Sequence, residues 1–195
     1  CWKDIKNRYL QKDRKVEYTY TYTVKSFTTD RELLEAYAAR PEVCNEDELL
    51  RVASLQTSDS AREQVYRTVL RYFPKSELAT CNLASILLRN ERAAEALQLL
   101  AATGSTAPEL VNARAAALAL TGETEQAVRL LEPLAGISEQ ARYNLGLMCA
   151  ALNRTQEAYT YLRKFADVNS ALAALAIGAN ADAATILDSC ADDRS

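Results

Sequence analysis

Small residues at a fixed spacing constrain the fold of this chain more than any other feature. Ala84, Ala115 and Gly146 lie 31 residues apart. Each is followed twelve residues later by an alanine, namely Ala96, Ala127 and Ala158. Small residues at a constant period mark places where two helices approach closely, which is typical of stacked helical hairpins. The spacing therefore predicts a stack of helix pairs rather than a globular enzyme core.

The composition narrows the functional classes. The 195 residues include no histidine, so the most common general base and metal ligand are missing. The five cysteines have no CxxC spacing, and a net charge of −3 gives no overall attraction to nucleic acid. No apolar run approaches the roughly 20 residues that span a bilayer. We therefore expect a non-enzyme without metal or cofactor, which neither binds nucleic acid nor spans a membrane.

The N-terminal part of the chain has a different pattern. From Val16 to Val24, apolar or aromatic residues alternate strictly with Glu17 and threonines. A period of two with such residues predicts a β-strand whose one face carries Tyr18, Tyr20 and Tyr22. A single strand needs a partner. The partner is either a sheet of a preceding domain or the same strand of a second copy, which would make these tyrosines an assembly surface.

Helix-capping signals begin after Phe27 and predict helices to the end of the chain. Capping boxes are indicated at Thr29 with Glu32, Asn45 with Glu48 and Ser60 with Glu63. Further N-caps are indicated at Ser76, Thr106 and Ser138, and Pro133 should end or kink a helix. The expected helices are 29–40, 45–55, 60–73, 77–88, 91–102, 106–120, 123–132, 138–152, 155–167, 170–177 and 182–190. Loops of two to five residues between them predict antiparallel neighbours.

The repeat resembles the tetratricopeptide (TPR) family, a helix–turn–helix unit of 34 residues. Three copies match at Asn82-Leu83-Ala84, at Ala115 with Leu118 and Gly122, and at Asn144-Leu145-Gly146. A weaker first copy places Leu50 at the small position, 34 residues before Ala84, and Pro74 after its second helix. Glu91 and Asn153 stand where the family has a turn glycine. The resemblance implies a mainly α, right-handed superhelix of about four helix pairs at 28–195, closed by C-terminal capping helices, behind a β segment at 1–27.

The same resemblance implies a protein or peptide ligand on the concave face. The first-helix positions that form this face in the family include the following residues here: Asp47, Arg51, Ser85, Arg89, Asn112, Ala116, Tyr143 and Leu147. Leu78, Cys81, Glu109 and Leu120 also fall on such positions. A mildly apolar groove of this kind suits an extended or helical peptide. The alternative is that the C-terminal helices fill the groove and it binds nothing.

A second resemblance concerns the parent protein. The segment from Arg14 to Phe27, followed by a short helix, Tyr72-Phe73-Pro74 and Asn82-Leu83-Ala84, is similar to uncharacterised bacterial envelope proteins. In these proteins an outer-membrane-protein-A-like domain precedes a helical repeat tail. The resemblance implies a scaffold on the periplasmic side of the outer membrane. It also leaves open a purely structural module of a peptidoglycan-associated protein, which would self-associate through the N-terminal strand.

The cysteines give separate expectations. Cys149 lies on an apolar helix and is expected to be a small buried hydrophobe. Cys1 is either a lipidated N-terminal cysteine or an ordinary residue within a longer chain, and Trp2 with the charged stretch after it favours the second alternative.

Overall fold

The structure, a computed structural model, describes residues 27–192, and its regular elements in this range are all helical. The α-helices are α1 (Asp30–Ala39), α2 (Glu46–Ser54), α3 (Asp59–Tyr72), α4 (Glu77–Arg89), α5 (Ala93–Thr103), α6 (Pro108–Leu120), α7 (Thr124–Leu131), α8 (Glu139–Ala151), α9 (Thr155–Leu162), α10 (Val168–Ala176) and α11 (Asn180–Asp192). Short 3-10 turns follow α1 and α7, at Pro41–Val43 and Glu132–Leu134. The predicted strand with Tyr18, Tyr20 and Tyr22 lies outside the described residues.

Successive helices pack as antiparallel hairpins. The pairs are α2–α3, α4–α5, α6–α7, α8–α9 and α10–α11, and each second helix also packs on the first helix of the next pair. The first helices contact each other directly, α4 with α6 and α6 with α8, whereas α5, α7 and α9 make at most marginal contact with one another. The first helices therefore lie on the inner side of the curve. We call the side of the stack that they form the inner face.

Several helix starts lie where the sequence predicts them. The side chains of Thr29, Asn45, Ser76 and Ser138 accept hydrogen bonds from backbone amides three residues ahead. Asn45 and Glu48 form a complete capping box, since Glu48 also accepts from the Asn45 amide at 2.9 Å. Such bonds satisfy amides that the helix itself leaves unpaired. The predicted end of a helix at Pro133 is confirmed as well, because α7 gives way there to the 3-10 turn.

Two predicted caps are wrong. Helix α3 begins after Ser58, whose hydroxyl accepts from the Ala61 amide at 3.2 Å. The predicted box of Ser60 with Glu63 does not form, because the Glu63 carboxylate is held by arginines. Helix α6 begins at Pro108 with Ala107 as a cap that makes no side-chain bond. Proline is suited to this first position, since its ring presets the helical φ and it has no amide to satisfy.

The 31-residue period extends one hairpin further than the sequence analysis assumed. The N-caps Asn45, Ser76, Ala107 and Ser138 are evenly spaced by 31 residues. The residue 31 before Ala84 is Ala53, which is fully buried, whereas Leu50 is only half-buried. The expectation of a 34-residue first copy with Leu50 at the small position is therefore wrong. Helix α2 is shorter and α3 longer than their counterparts, so the hairpin has the same length with its turn displaced.

The small residues lie where paired helices meet. Ala84, Ala115 and Gly146 are all buried, as are the alanines twelve residues after them. The closest approach is at Gly146, where a Cβ would lie 2.5 Å from Leu162 Cγ and 3.3 Å from Tyr161 Cβ. Carbon atoms that do not share a bond pack at about 3.5–4.0 Å. The predicted reason for the period is thus confirmed at Gly146, since any larger residue would overlap helix α9.

One turn geometry joins most of the hairpins. Glu91, Gly122 and Asn153 have left-handed φ angles of 59°, 92° and 58°. The amide after each donates to the carbonyl oxygen five residues earlier, at 2.8, 2.8 and 2.9 Å. This is the Schellman arrangement, which usually has glycine at the left-handed position. The turn therefore forms without the family's glycine at Glu91 and Asn153.

The last two helices form a fifth hairpin of the same kind. Gly178 has φ 79°, and the Ala179 amide donates to the Ala174 carbonyl at 2.9 Å, five residues back. Ala171 and Ala183 are both buried and are twelve residues apart, as in the other pairs. The sequence analysis assigned these helices to a cap. In the structure they extend the stack.

The hydrophobic core has two adjoining parts. One runs from α1 to α6 and the other from α6 to α9, with Leu97 packed against both. Cys149 is fully buried within the second part, as predicted, and burial raises the pKa of its thiol to about 11. Cys44 and Cys81 also hold free thiols. Among the described residues, no helix has the length and apolar character needed to cross a bilayer.

Candidate functional site

The inner face carries a groove between α4 and α6, which we call the α4–α6 groove. Its volume is about 280 Å³. Its lining residues are Glu77, Leu78, Cys81, Ala107, Glu109 and Leu110. Leu78 is 57% exposed, an unusual position for a large apolar side chain beside other apolar groups. The groove therefore offers an apolar floor to a ligand.

Two carboxylates flank this floor. Glu77 and Glu109 lie in the first turns of α4 and α6, where the helix dipole favours negative charge. The Ser105 hydroxyl donates to Glu77 Oε1 at 2.5 Å. Burial raises the pKa of the Cys81 thiol, and the negative charge of Glu109 raises it further. The Cys81 thiol is therefore not an activated nucleophile, because its thiolate is disfavoured.

A second groove of about 300 Å³ lies towards the C-terminus, and we call it the α8–α10 groove. Its lining residues are Leu147, Ala150, Asn153, Thr155, Ala158, Leu162, Asn169, Leu172, Ala173 and Ala176. None of these side chains is charged. Leu172 is 56% exposed, and Val168 and Leu175 on the same helix are 50% and 48% exposed. Helix α10 thus adds apolar surface instead of closing the inner face.

Of the eight predicted binding residues, both arginines make ion pairs within the protein. Arg51 contacts Asp30 of α1 at 2.5 Å, and Arg89 contacts Asp59 of α3 at 3.1 Å. These contacts join each arginine to a neighbouring helix. Both side chains are about half exposed, so a ligand would have to compete with an existing partner in each case.

Asn112 and Tyr143 are used for contacts between hairpins. Asn112 is buried and its Oδ1 accepts from Asn144 Nδ2 at 3.0 Å, which joins α6 to α8. The Tyr143 hydroxyl donates to Asp167 and accepts from Asn169 at 2.7 Å. Its ring packs edge-on against Phe165 with the centroids 4.9 Å apart. The bond to Asp167 is the main cause of a raised pKa for the Tyr143 hydroxyl.

The other four predicted residues lie on the surface of the first helices. Asp47 and Ser85 are exposed, whereas Ala116 and Leu147 are half-buried. The Ser85 hydroxyl donates to the Cys81 carbonyl at 2.9 Å. Leu147 lines the α8–α10 groove, and none of the eight lines the α4–α6 groove. Their role in binding stays a prediction.

Some groove residues were missed by the sequence analysis. It did not single out Glu77 or the α10 residues Leu172 and Leu175. The signal for α10 was present, because Ala171 and Ala183 repeat the twelve-residue spacing and Gly178 supplies the turn. No short-range signal marks Glu77, which becomes a groove wall only when α6 packs beside α4.

The described residues offer an adsorbing surface and no site for bond chemistry. Within residues 27–192, no three cysteine or acidic side chains come close enough to hold a metal ion. Both grooves are open on the inner face and are lined mainly by apolar side chains. Such a surface can bury the side chains of an extended or helical segment.

Comparison with known proteins supports the fold. No family model and no curated protein matches the sequence. Among solved structures, the MamA protein has a TM-score of 0.55 at 15% identity, with 82% of this chain and 90% of that chain covered. YrrB, a TPR protein with an unusual peptide-binding site, has a TM-score of 0.57 at 15% identity, with 87% and 93% covered. A tetratricopeptide repeat protein from Parabacteroides merdae has a TM-score of 0.52 at 19% identity, with 84% and 66% covered. The chain therefore has a TPR-like helical repeat fold.

Proposed function

We propose that this protein is a non-catalytic interaction scaffold that captures a peptide or a helical segment of another protein on its inner face. The observation that carries the proposal is the exposure of large apolar side chains on successive first helices. Leu78 on α4, Leu120 on α6 and Leu172 on α10 are 57%, 64% and 56% exposed. Scattered exposed leucines are ordinary, but a row of them beside grooves on one face is typical of an interaction surface. The peptide-binding site of the TPR protein YrrB supports this proposal by analogy of fold.

Affinity on such a face would come from apolar area removed from water. The α8–α10 groove contributes apolar surface from Leu147 and Leu172, and the α4–α6 groove contributes Leu78 and Leu110. The predicted residues Asp47 and Ser85 would act as polar contacts at the edge. Arg51, Arg89, Asn112 and Tyr143 would chiefly position the helices, since each already has a partner within the protein.

The test is a comparison of tagged variants in affinity purification from the source cells, with quantitative mass spectrometry. We expect Leu78→Glu and Leu172→Glu to release the proteins that the wild-type chain retains. Leu187→Glu is the matched control, since Leu187 is 44% exposed but lies on the second helix α11. Retention of the same partners by all three variants would refute binding on the inner face.

We also propose that the scaffold acts in the bacterial cell envelope, on the periplasmic side of the outer membrane. The support is the sequence similarity from Arg14 through Asn82-Leu83-Ala84 to uncharacterised envelope proteins. Fractionation of source cells with an antibody to residues 27–192 tests the proposal. A signal confined to the cytosolic fraction would refute it.

Self-association through Tyr18, Tyr20 and Tyr22 is the structural alternative, favoured by the alternating pattern from Val16 to Val24. Light scattering of the full chain and of a variant with serine at the three tyrosines tests it. A dimer that dissociates in the variant supports assembly through this segment, and a monomer in both cases refutes it.

A further inference from the structure

We propose that the α4–α6 groove selects a peptide segment in which an apolar residue is flanked by basic residues. The inference rests on the proposed function and adds the chemistry of the ligand. It concerns one groove, and it follows from the charges on the walls of that groove together with its apolar floor.

The floor is suited to one apolar side chain. Leu78, Cys81 and Leu110 are contributed by the two first helices, and Ala107 by the turn before α6. Leu78 is largely exposed, whereas Leu110 is buried beneath it as part of the first core. An apolar ligand side chain seated here would cover Leu78 and remove both surfaces from water.

The walls have uncompensated negative charge. Glu77 and Glu109 are both exposed, and neither makes an ion pair with any side chain in residues 27–192. Other carboxylates of the first hairpins, such as Asp59 and Glu63, are paired with arginines. No lysine or arginine lines the groove. Two unpaired carboxylates on either side of an apolar floor complement a segment with basic residues beside an apolar one.

The position of Glu109 is supported by its effect on the thiol in the floor. After burial, the Glu109 charge is the next cause of the raised pKa of Cys81. A carboxylate that affects the floor in this way is placed to meet a cation above it. By contrast, the α8–α10 groove has no charged lining residue. The preference for basic residues is therefore a property of one groove and not of the whole inner face.

The experiment uses the full chain and three fluorescein-labelled octapeptides that alternate leucine with arginine, glutamine or glutamate. Fluorescence anisotropy gives the dissociation constants at low and physiological salt. We expect the arginine peptide to bind about five- to tenfold more tightly than the glutamine peptide, as two partly exposed charge-assisted pairs would give. The glutamate peptide should bind most weakly, and added salt should reduce the difference between the arginine and glutamine peptides.

Variants separate this groove from the general charge of the protein. The double variant Glu77→Gln, Glu109→Gln should bind the arginine and glutamine peptides equally and keep its affinity for the glutamine peptide. Two copies of Glu125→Gln cannot exist in one chain, so the matched control is Glu123→Gln, Glu125→Gln, which removes two exposed charges at the start of the second helix α7. The control should keep the full preference for arginine.

The alkylation of Cys81 by iodoacetamide, followed by mass spectrometry of the peptide that contains it, locates the ligand. Both the arginine and glutamine peptides should slow this reaction. Leu78→Ser should weaken binding of both peptides without abolishing the preference for arginine.

The possible failures are distinguishable. If the glutamine peptide binds and protects Cys81 but arginine gives no advantage, the charge preference is wrong and the proposed function stands. If the control variant loses the preference as fully as the groove variant does, the selection is not local to this groove and the inference is wrong. If none of the peptides binds, both this inference and peptide capture in the α4–α6 groove fail.

Discussion

The turns between hairpins show how single residues accommodate the repeat. Glu91, Gly122 and Asn153 occupy the same left-handed position, although only one of them is glycine. Left-handed backbone costs an ordinary L-residue roughly 1–2 kcal/mol, whereas asparagine adopts it more readily. The array therefore contains a local strain at Glu91 that is maintained by the packing of the helices on either side.

The first prediction concerns this strain. Glu91→Gly should raise the free energy of unfolding by about 0.5–1 kcal/mol, because the steric cost is removed while the greater freedom of unfolded glycine offsets part of the gain. Gly122→Ala should lower it by about 1 kcal/mol, since a Cβ there meets no neighbour and only the backbone is strained. Urea denaturation measures both. A less stable Glu91→Gly variant would show that the glutamate has a compensating role.

The second prediction concerns the closest helix contact. Gly146→Ala gains about 1 kcal/mol of helix propensity, but the added Cβ would lie 2.5 Å from the buried Leu162 Cγ. Overpacking of this kind costs about 1–3 kcal/mol, and a branched carbon in the core cannot easily move away. We expect a net loss of about 1–2 kcal/mol on thermal or urea unfolding.

Gly136→Ala is the control for that variant, because its Cβ would meet nothing within 4 Å. Its stability should stay within about 0.5 kcal/mol of the wild type. Equal stability of the two variants would contradict the close approach of α8 and α9.

At the scale of the helices, polar contacts join the second helices of the first two hairpins. Glu63 and Arg67 of α3 and Glu95 of α5, together with Arg92 just before α5, form a closed ring of ion pairs. Each arginine bonds both carboxylates. The Glu63 side chain is only 15% exposed, so its contacts are less screened than those of an isolated surface pair.

The third prediction follows from this ring. Glu63→Gln should destabilise the protein by about 1 kcal/mol at pH 7. Hydrogen bonds from Arg92, and then from Arg67, lower the pKa of Glu63 below its ordinary value of 4.5. A carboxyl whose pKa is lower in the folded state stabilises it above the unfolded pKa, and this contribution is lost as the pH falls through the folded pKa.

The difference in unfolding free energy between wild type and Glu63→Gln should therefore shrink from pH 7 to pH 3, and also at 1 M NaCl. Urea denaturation at each pH measures it. A difference that does not change with pH or salt would show that Glu63 acts through packing alone.

For the whole molecule, the stack transmits stability mainly between neighbours. Each hairpin contacts only the adjoining hairpins, as expected of a repeat protein. The fifth hairpin is attached by Tyr143 to Asp167 and by Tyr159 to Asp182. Burial raises the pKa of Asp167, but bonds from Tyr143 and Ser170 outweigh it and lower the pKa overall. The ionised carboxylate is therefore the form that holds α10 in place.

The fourth prediction tests this independence of the hairpins. Asp167→Ala removes both the N-cap of α10 and the partner of Tyr143, contributions of about 1 kcal/mol each. Amide hydrogen exchange should become at least tenfold faster in residues 168–192 and remain unchanged in α2–α5. Tyr143→Phe removes only the second contact and should have a smaller effect. Faster exchange throughout the chain would instead indicate one cooperative unit.

The sequence by itself determined the elements that depend on neighbours in the chain. A cap bond spans three residues, so Asn45, Ser76 and Ser138 could be identified from local pattern alone. The 31-residue period likewise gave the hairpins, because only small residues permit the approach seen at Gly146. The same local reasoning failed at Ser60, where Glu63 bonds arginines instead of completing a cap.

Only the tertiary structure decided which surface remains open. It pairs Arg51 and Arg89 with acids of other helices, places α10 as a fifth first helix, and brings Glu77 opposite Glu109. Each of these outcomes depends on residues from different hairpins, whose mutual distances follow from the packing of all the helices between them. A repeat pattern fixes the spacing of helices, whereas the charge and exposure of the grooves between them depend on how those helices pack.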